Sequence, residues 1–404
     1  MISFHEALRL TLEKVQPLGT ELIALSQATG RVAGESLVAR VDLPSVDVSL
    51  KDGYAVRSGD ISVASPERPV FLHLIGDVAA GGLWQGETRP GTAVRILSGA
   101  PIPTGAEAVV SEEFTRLEGQ DLIVVADAYP GRNILSRGSD LQRGQLLVSA
   151  GEPLWPGQIG LLAAGGQERI PVRKIPRVGI LATGDEVLAP GKPLEDGKVY
   201  ASNLVTLEAW CHYFYMQVTT WVVEDQPDAL RAHLQESIGE CDALLTSGGA
   251  WKGDRDLVVG VLDELGWEKL YHRVRIGPGK AVGFGKYRGK PVFCLPGGPP
   301  SNYMAFLNLA LPGLLKLGGR IRTSFPVVPA KLSREVRGQI DWTQFILGKI
   351  EEGQDCLIFH PAEMTSRLQM IAQAEAILTI PEGTDHIAAR ENVSVQMLGN
   401  PDWA

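Results

Sequence analysis

The sequence predicts a multidomain α/β protein in which a doubly wound α/β domain is accompanied by a β-rich inserted lobe, a linker domain and a C-terminal β-barrel. Three observations carry this reading. Four Gly-rich turns, Thr183-Gly184-Asp185-Glu186, Ser247-Gly248-Gly249, Gly277-Pro278-Gly279-Lys280 and Leu295-Pro296-Gly297-Gly298-Pro299, each end a short apolar run. Helical periods separate most of those runs, and strand-helix alternation favours a largely parallel sheet. Gly- and Pro-dense segments with short strand-like runs lie on both sides of that region.

The elements follow in order. A helical stretch is expected from the N-terminus to about Arg40, followed to about Ala150 by a β-rich region with strands such as Val70–Ile75 and Ala108–Val110. Pro153–Gly166 has helical periodicity. Strands are then expected at Arg177–Ala182, Val218–Val223, Ala243–Thr246, Leu270–Ile276 and Pro291–Cys294. Helices are expected at Asp228–Leu234 after the Asp225/Pro227 start signal, at Leu257–Leu262, and at Tyr303–Leu317 before Gly318-Gly319. From Val327 onward, alternation such as Gln344–Ile350 suggests a small barrel.

Composition narrows the function classes. A chain of 404 residues, 44% hydrophobic, can bury large cores and has room for several domains. Its net charge of -9 argues against a nucleic-acid surface. There is no run of 18 apolar residues, and Met1–Ala7 reads as the start of an amphipathic helix, so no membrane association and a cytoplasmic location are expected. The four cysteines, Cys211, Cys241, Cys294 and Cys356, lack metal-site spacing and are expected as free thiols.

In a parallel α/β sheet the carboxyl ends of the strands form the ligand crevice, so the four turns are expected to line one site. Backbone N–H groups of glycine turns suit a phosphorylated ligand. Neither a Walker loop nor a Gly-x-Gly-x-x-Gly fingerprint is present. Asp52, Asp140, Asp185, Glu186 and Asp256 stand in or beside Gly-rich turns, and Mg²⁺ at a pyrophosphate takes such hard oxygen ligands. Each equally suits a turn or helix cap. Lys280, following Gly279, is the candidate phosphate or oxyanion contact, with an ordinary exposed lysine as the alternative.

Taken in order, Leu50–Val56, Arg95–Pro103, Arg137–Asp140, Thr183–Glu186, Ser247–Gly249, Pro278–Lys280 and Leu295–Gly297 resemble the molybdopterin molybdenumtransferase family, which includes MoeA and the second half of gephyrin. The resemblance implies residues 1–42 plus 141–175 as the linker domain and 43–140 as the β-rich insert. It implies 176–323 as an α/β pterin-nucleotide-binding domain like that of the molybdopterin adenylyltransferases, and 324–404 as the barrel. It further implies a homodimer whose cleft joins the α/β domain of one subunit to the β-rich lobe of the other. The implied reaction inserts molybdate into adenylylated molybdopterin with release of AMP in a magnesium-dependent step. A molybdopterin adenylyltransferase or a molybdoenzyme is the implied protein partner.

On that basis Asp52, Asp140, Glu186, Asp256 and Lys280 are the expected catalytic residues, with Glu186 and Asp256 also holding the metal. Thr183, Gly184, Asp185, Ser247, Gly248, Gly249, Pro278, Gly279, Pro296, Gly297 and Ser366 are expected to bind the ligands. Ser366 comes from the likeness of Ser366-Arg367-Leu368 to a gephyrin-type Ser-Ser-Arg-Leu stretch. The chain departs from the family at Gly277 and Gln344, where cations are usual, and at Gly298, where Asn is usual. Molybdate binding at least about tenfold weaker is therefore expected, since each lost charge-assisted bond is worth about 1.5–3 kcal/mol. The competing reading is a catalytically weakened scaffold or carrier of the pterin nucleotide. A nucleotide pyrophosphatase would leave the β-rich insert unexplained.

Overall fold

The computed structural model describes residues 1–82, 84–248, 257–363 and 366–399. Its central sheet comprises β1 (Arg177–Thr183), β2 (Gln217–Val223), β3 (Ala243–Gly248), β4 (Glu268–His272), β5 (Gly283–Tyr287) and β6 (Lys290–Leu295). Their spatial order is β2-β1-β3-β6-β5-β4. The first four of that series pair in parallel, whereas β5 runs antiparallel to both β6 and β4.

Both faces of this sheet are covered, which is why its strands read as continuous apolar runs. Ile180, Leu245 and Phe293 enter one core with Leu204 and Leu207 of α1 (Ser202–Tyr213). Leu181, Leu244 and Val292 enter the opposite core with Leu230 and Leu234 of α2 (Pro227–Glu240) and Val258 of α3 (Leu257–Glu264). The expected helix at Tyr303–Leu317 starts earlier and runs as Pro299–Ala305, a π-helical turn at Phe306–Ala310 and Leu311–Leu317. Gly318 caps it.

Two sequence expectations need correction. The N-terminal helix spans only Phe4–Lys14, and Thr20–Ala24 is a strand. Pro17 and Gly19 break the helix, because proline lacks the N–H needed in its interior and biases the preceding residue toward extended backbone. The single run expected at Leu270–Ile276 is divided between two sheets. β4 ends at His272, Arg273 adopts a positive φ of 65°, and Ile276–Gly277 then pairs with a strand of the C-terminal barrel.

Thr20–Ala24 pairs antiparallel with Arg169–Arg173, and Leu37–Val38 with Leu146–Val148, so segments before and after the β-rich region zip together. Between them lies a six-stranded mixed sheet in which Gly53–Val56 is flanked by Thr92–Ile96 and Ala108–Ser111. Near the C-terminus, Val327–Leu332, Thr343–Glu352, Leu357–Pro361, Ala376–Ile380 and Asn392–Met397 close into a barrel. Phe359, Leu378 and Val395 fill its interior. No helix among the described residues is long and apolar enough to cross a membrane.

Candidate functional site

The parallel pairings bring three of the four Gly-rich turns side by side. Thr183 is the register partner of Gly248, and Ser247 that of Leu295. Two asparagines tie these strand ends together. Asn302 Nδ2 donates to Ser247 Oγ at 3.0 Å and to Pro296 O at 2.9 Å. Asn203 Nδ2 donates to Gly297 O at 2.8 Å and reaches Ser247 Oγ at 3.4 Å. Ser247 and Asn302 are both buried, so these bonds satisfy groups that would otherwise be costly to leave unpaired.

Gly248 has a structural reason to be glycine. Its φ is +102°, and a Cβ there would stand 2.1 Å from the carbonyl oxygen of Thr183. Buried Thr183 in turn donates from Oγ1 to Asp225 Oδ1 at 3.1 Å. Asp185 and Glu186 are exposed just beyond it, and Lys198 Nζ donates to Asp185 O at 2.7 Å. Glu186 folds back, so that a Cβ on Gly184 would meet its Oε2 at 2.9 Å.

The fourth turn reaches the others through the helix that follows Gly298. A Cβ at Gly279, whose φ is +119°, would press on Ser301 O at 3.2 Å and Ala305 N at 3.4 Å. This turn and the Pro296–Gly298 turn form one wall of a cleft of about 1060 Å³, whose other wall is the barrel. That volume suits a nucleotide-sized ligand. Lys280 and Gly277–Gly279 lie on the first side; Arg334, Arg337, Trp342 and Gln344 lie on the second. Lys280 Nζ is held 5.3 Å over the Trp342 ring, a cation–π contact.

The predicted residues thus fall into groups. Pro278, Gly279, Lys280, Pro296 and Gly297 line the cleft directly. Thr183, Gly184, Asp185, Glu186, Ser247 and Gly248 occupy neighbouring strand ends. Asp52 and Asp140 do not line this cleft; they belong to the β-rich side of the chain, where Asp52 Oδ1 accepts from Ser98 N at 2.6 Å and Asp140 N donates to Leu43 O. Ser366 caps the helix Arg367–Gln373, its Oγ accepting from Gln369 N at 3.3 Å. Gly249 and Asp256 lie outside the described residues. Among the described residues no three Asp, Glu, His or Cys side chains converge on one point as metal ligands.

Sequence reasoning missed Asn302, Arg334 and Arg337, and treated Asp225 only as a helix start signal. Asp225 was detectable as a carboxylate just past the end of β2, at the crevice side of the sheet. The arginines carried no motif, since only barrel closure turns them toward the α/β turns.

Comparison with known proteins finds likeness over nearly the whole chain. Residues 2–166 match the family described as "MoeA N-terminal region (domain I and II)", 179–316 the "Probable molybdopterin binding domain", and 329–398 the "MoeA C-terminal region (domain IV)". Molybdopterin molybdenumtransferase 2 of Mycobacterium tuberculosis is 32% identical over 401 residues, covering 98% of this chain and 99% of that one. Molybdopterin molybdenumtransferase of Bacillus subtilis is 30% identical over 409 residues, covering 98% and 94%. A crystal structure of the molybdopterin biosynthesis MoeA protein from Pyrococcus horikoshii OT3 superposes with a TM-score of 0.85 at 28% identity, covering 98% of this chain and all of that one. With its crevice of Gly-rich turns closed by a C-terminal barrel, the chain belongs to the MoeA family of molybdopterin molybdenumtransferases.

Proposed function

We propose that this protein is a molybdopterin molybdenumtransferase of molybdenum cofactor biosynthesis, inserting molybdate into adenylylated molybdopterin and releasing AMP. The observation that carries the reading is the cleft between the Gly279 and Gly297 turns and the barrel, which joins backbone donors to a concentration of cations. The name of the Mycobacterium tuberculosis relative, matched over nearly the full length of both chains, supports it.

In this reading the backbone amides at Gly184, Gly248, Gly249 and Gly279, with Thr183, Asp185, Ser247, Pro278, Pro296 and Gly297, hold the pterin nucleotide. Asn203 and Asn302 keep three of the turns in register. Lys280 meets the oxyanion, and Ser366 places the helix that carries Arg367 at the cleft. Magnesium would neutralise charge on the pyrophosphate when bound; Glu186 and Asp256 are proposed as its ligands. The described residues supply only the first of that pair. Asp52 and Asp140 are proposed to reach the cleft of a second subunit, making the protein a homodimer. The domain division at residues 42, 140, 175 and 323 and a cytoplasmic location go with this reading, as does transient contact with a molybdopterin adenylyltransferase or a molybdoenzyme.

The deciding experiment is incubation with adenylylated molybdopterin, Mg²⁺ and molybdate while AMP and transferred metal are measured. Turnover is expected, with Glu186→Gln and Asp256→Asn lowering AMP release more than ligand binding. Tight pterin-nucleotide binding with no AMP would favour the scaffold or carrier reading. Sedimentation showing only monomer at micromolar concentration, with ligand binding intact, would remove the shared cleft.

A further inference from the structure

The two walls of the cleft are joined by a short ladder. Ile276–Gly277 pairs with Thr343 and Gln344, and Pro278 then ends the pairing because it has no N–H to donate. A shared core that includes Ile276, Met304, Phe345 and Leu347 holds the barrel against the α/β domain. Apolar attraction is non-directional, so the angle between the walls depends on the polar contacts at their seam.

Arg275 makes most of those contacts. Its backbone N–H donates to Ile2 O at 2.9 Å, and its carbonyl accepts from Thr343 N at 3.1 Å. Its Nη2 donates to Glu382 Oε2 at 3.0 Å, and Nη1 donates to Met1 O at 3.4 Å. One residue thus ties the N-terminal segment, a barrel strand and a barrel turn together. Both ends of the ion pair lead to the cleft. Val274 N donates to Lys280 O at 3.0 Å, which closes the loop holding Arg275 and the Gly277–Gly279 turn. On the barrel side, Gly383 N donates to Ile340 O at 2.6 Å, so the turn bearing Glu382 supports the stretch that leads into Trp342. Glu382 Oε1 is buried with no hydrogen-bond partner among the described residues, which makes Arg275 the group that balances this carboxylate.

We propose that Arg275 and Glu382 are positioning residues of the transfer reaction, their ion pair setting the spacing between the α/β wall and the barrel wall. Neither residue lines the cleft, so both act through the groups they hold. The proposal rests on the transferase reading for its reaction. A misplacement of about 1 Å between groups that must align can cost about a hundredfold in rate.

Two measurements on the full-length protein test it: steady-state AMP release with adenylylated molybdopterin, Mg²⁺ and molybdate, and amide hydrogen exchange without ligand. Glu382→Ala is expected to lower kcat by about tenfold with KM for the pterin nucleotide within about twofold, because the α/β turns still hold that ligand. Exchange should rise at residues 276–280 and 339–344 and stay unchanged at 243–247. Glu382→Gln, which can still accept from Arg275 Nη2, should recover most of kcat, and Arg275→Lys should lower it. Unchanged kcat in folded Glu382→Ala overturns the proposal, as does a loss of activity with exchange at the seam unaltered; a merely structural pair would lower the melting temperature and leave kcat below the transition intact. If the parent releases no AMP, the transferase reading fails by itself. Exchange then decides whether the pair sets the seam: a rise confined to those two segments supports it, and an unaltered pattern overturns it.

Discussion

Gly277 and Gln344 are register partners in the parallel pairing that joins Ile276–Gly277 to the barrel strand Thr343–Glu352, and a Cβ at 277 would stand 3.8 Å from Gln344 Cγ and Nε2. The two positions at which this sequence lacks the expected cations are therefore one place in space. Their loss is a single local change in charge on the seam of the cleft.

Restoring both charges should be sterically permitted, because 3.8 Å is ordinary contact and Gly277 does not need glycine's backbone freedom. Gly277→Lys with Gln344→Arg is expected to raise molybdate affinity by about tenfold or more, given about 1.5–3 kcal/mol for each hydrogen bond to a charged group. Two cations at register partners also repel in the empty cleft. The double variant should accordingly melt at lower temperature than the parent without anion and recover with molybdate. Equal affinities by calorimetry would sink this expectation.

Gly248→Ala should destabilise the fold rather than merely block a ligand. The new Cβ would collide with the Thr183 carbonyl, and the +102° φ strains any other residue. A loss of about 1–3 kcal/mol is expected in thermal or denaturant unfolding. A variant as stable as the parent but unable to bind the nucleotide would show that the ligand, not the neighbouring strand, dictates this glycine.

Asn302 holds two turns from one buried amide, through Ser247 Oγ and Pro296 O. Replacing it with Ala leaves those acceptors with one partner fewer and should cost about 1–3 kcal/mol. Loosened turns should also raise KM for the pterin nucleotide. The comparison to make is unfolding free energy against KM; if stability falls alone, the asparagine supports the core without ordering the crevice.

The start of β1 carries a pH-sensitive contact. Asp242 accepts from the Arg177 N, Nε and Nη2 groups at 2.9–3.2 Å. Burial raises its carboxyl pKa, but the Arg177 hydrogen bonds and charge outweigh this and hold it below its ordinary value of 3.8. A depressed carboxylate stabilises the folded chain above that ordinary value, and the contribution fades as pH falls through the lowered one. Because Arg177 is half exposed, Asp242→Asn should cost only about 1 kcal/mol at pH 7. Urea unfolding at pH 7 and below 3.8 should show the difference shrinking in acid; a constant difference would locate the effect in packing.

Much of this protein was legible from residue order alone. Alternating apolar runs and helical periods disclosed the doubly wound domain, since a parallel sheet covered on both faces requires strands such as Ile180-Leu181 and Leu244-Leu245 to be apolar at successive positions. Glycine turns at strand ends pointed to the crevice, because that position follows from chain direction. The barrel, too, was visible as alternation after Val327. What only tertiary structure decided was which distant groups meet. Asn302 joining Ser247 to Pro296, Gly277 facing Gln344, and Arg334 and Arg337 entering a cleft with Lys280 all depend on strand register and barrel closure, which bring together residues tens of positions apart. No local period encodes such a meeting. The same holds for the split of Leu270–Ile276 between two sheets, where hydrophobic pattern showed that the run is buried and only the competing hydrogen-bond partners determined where it turns.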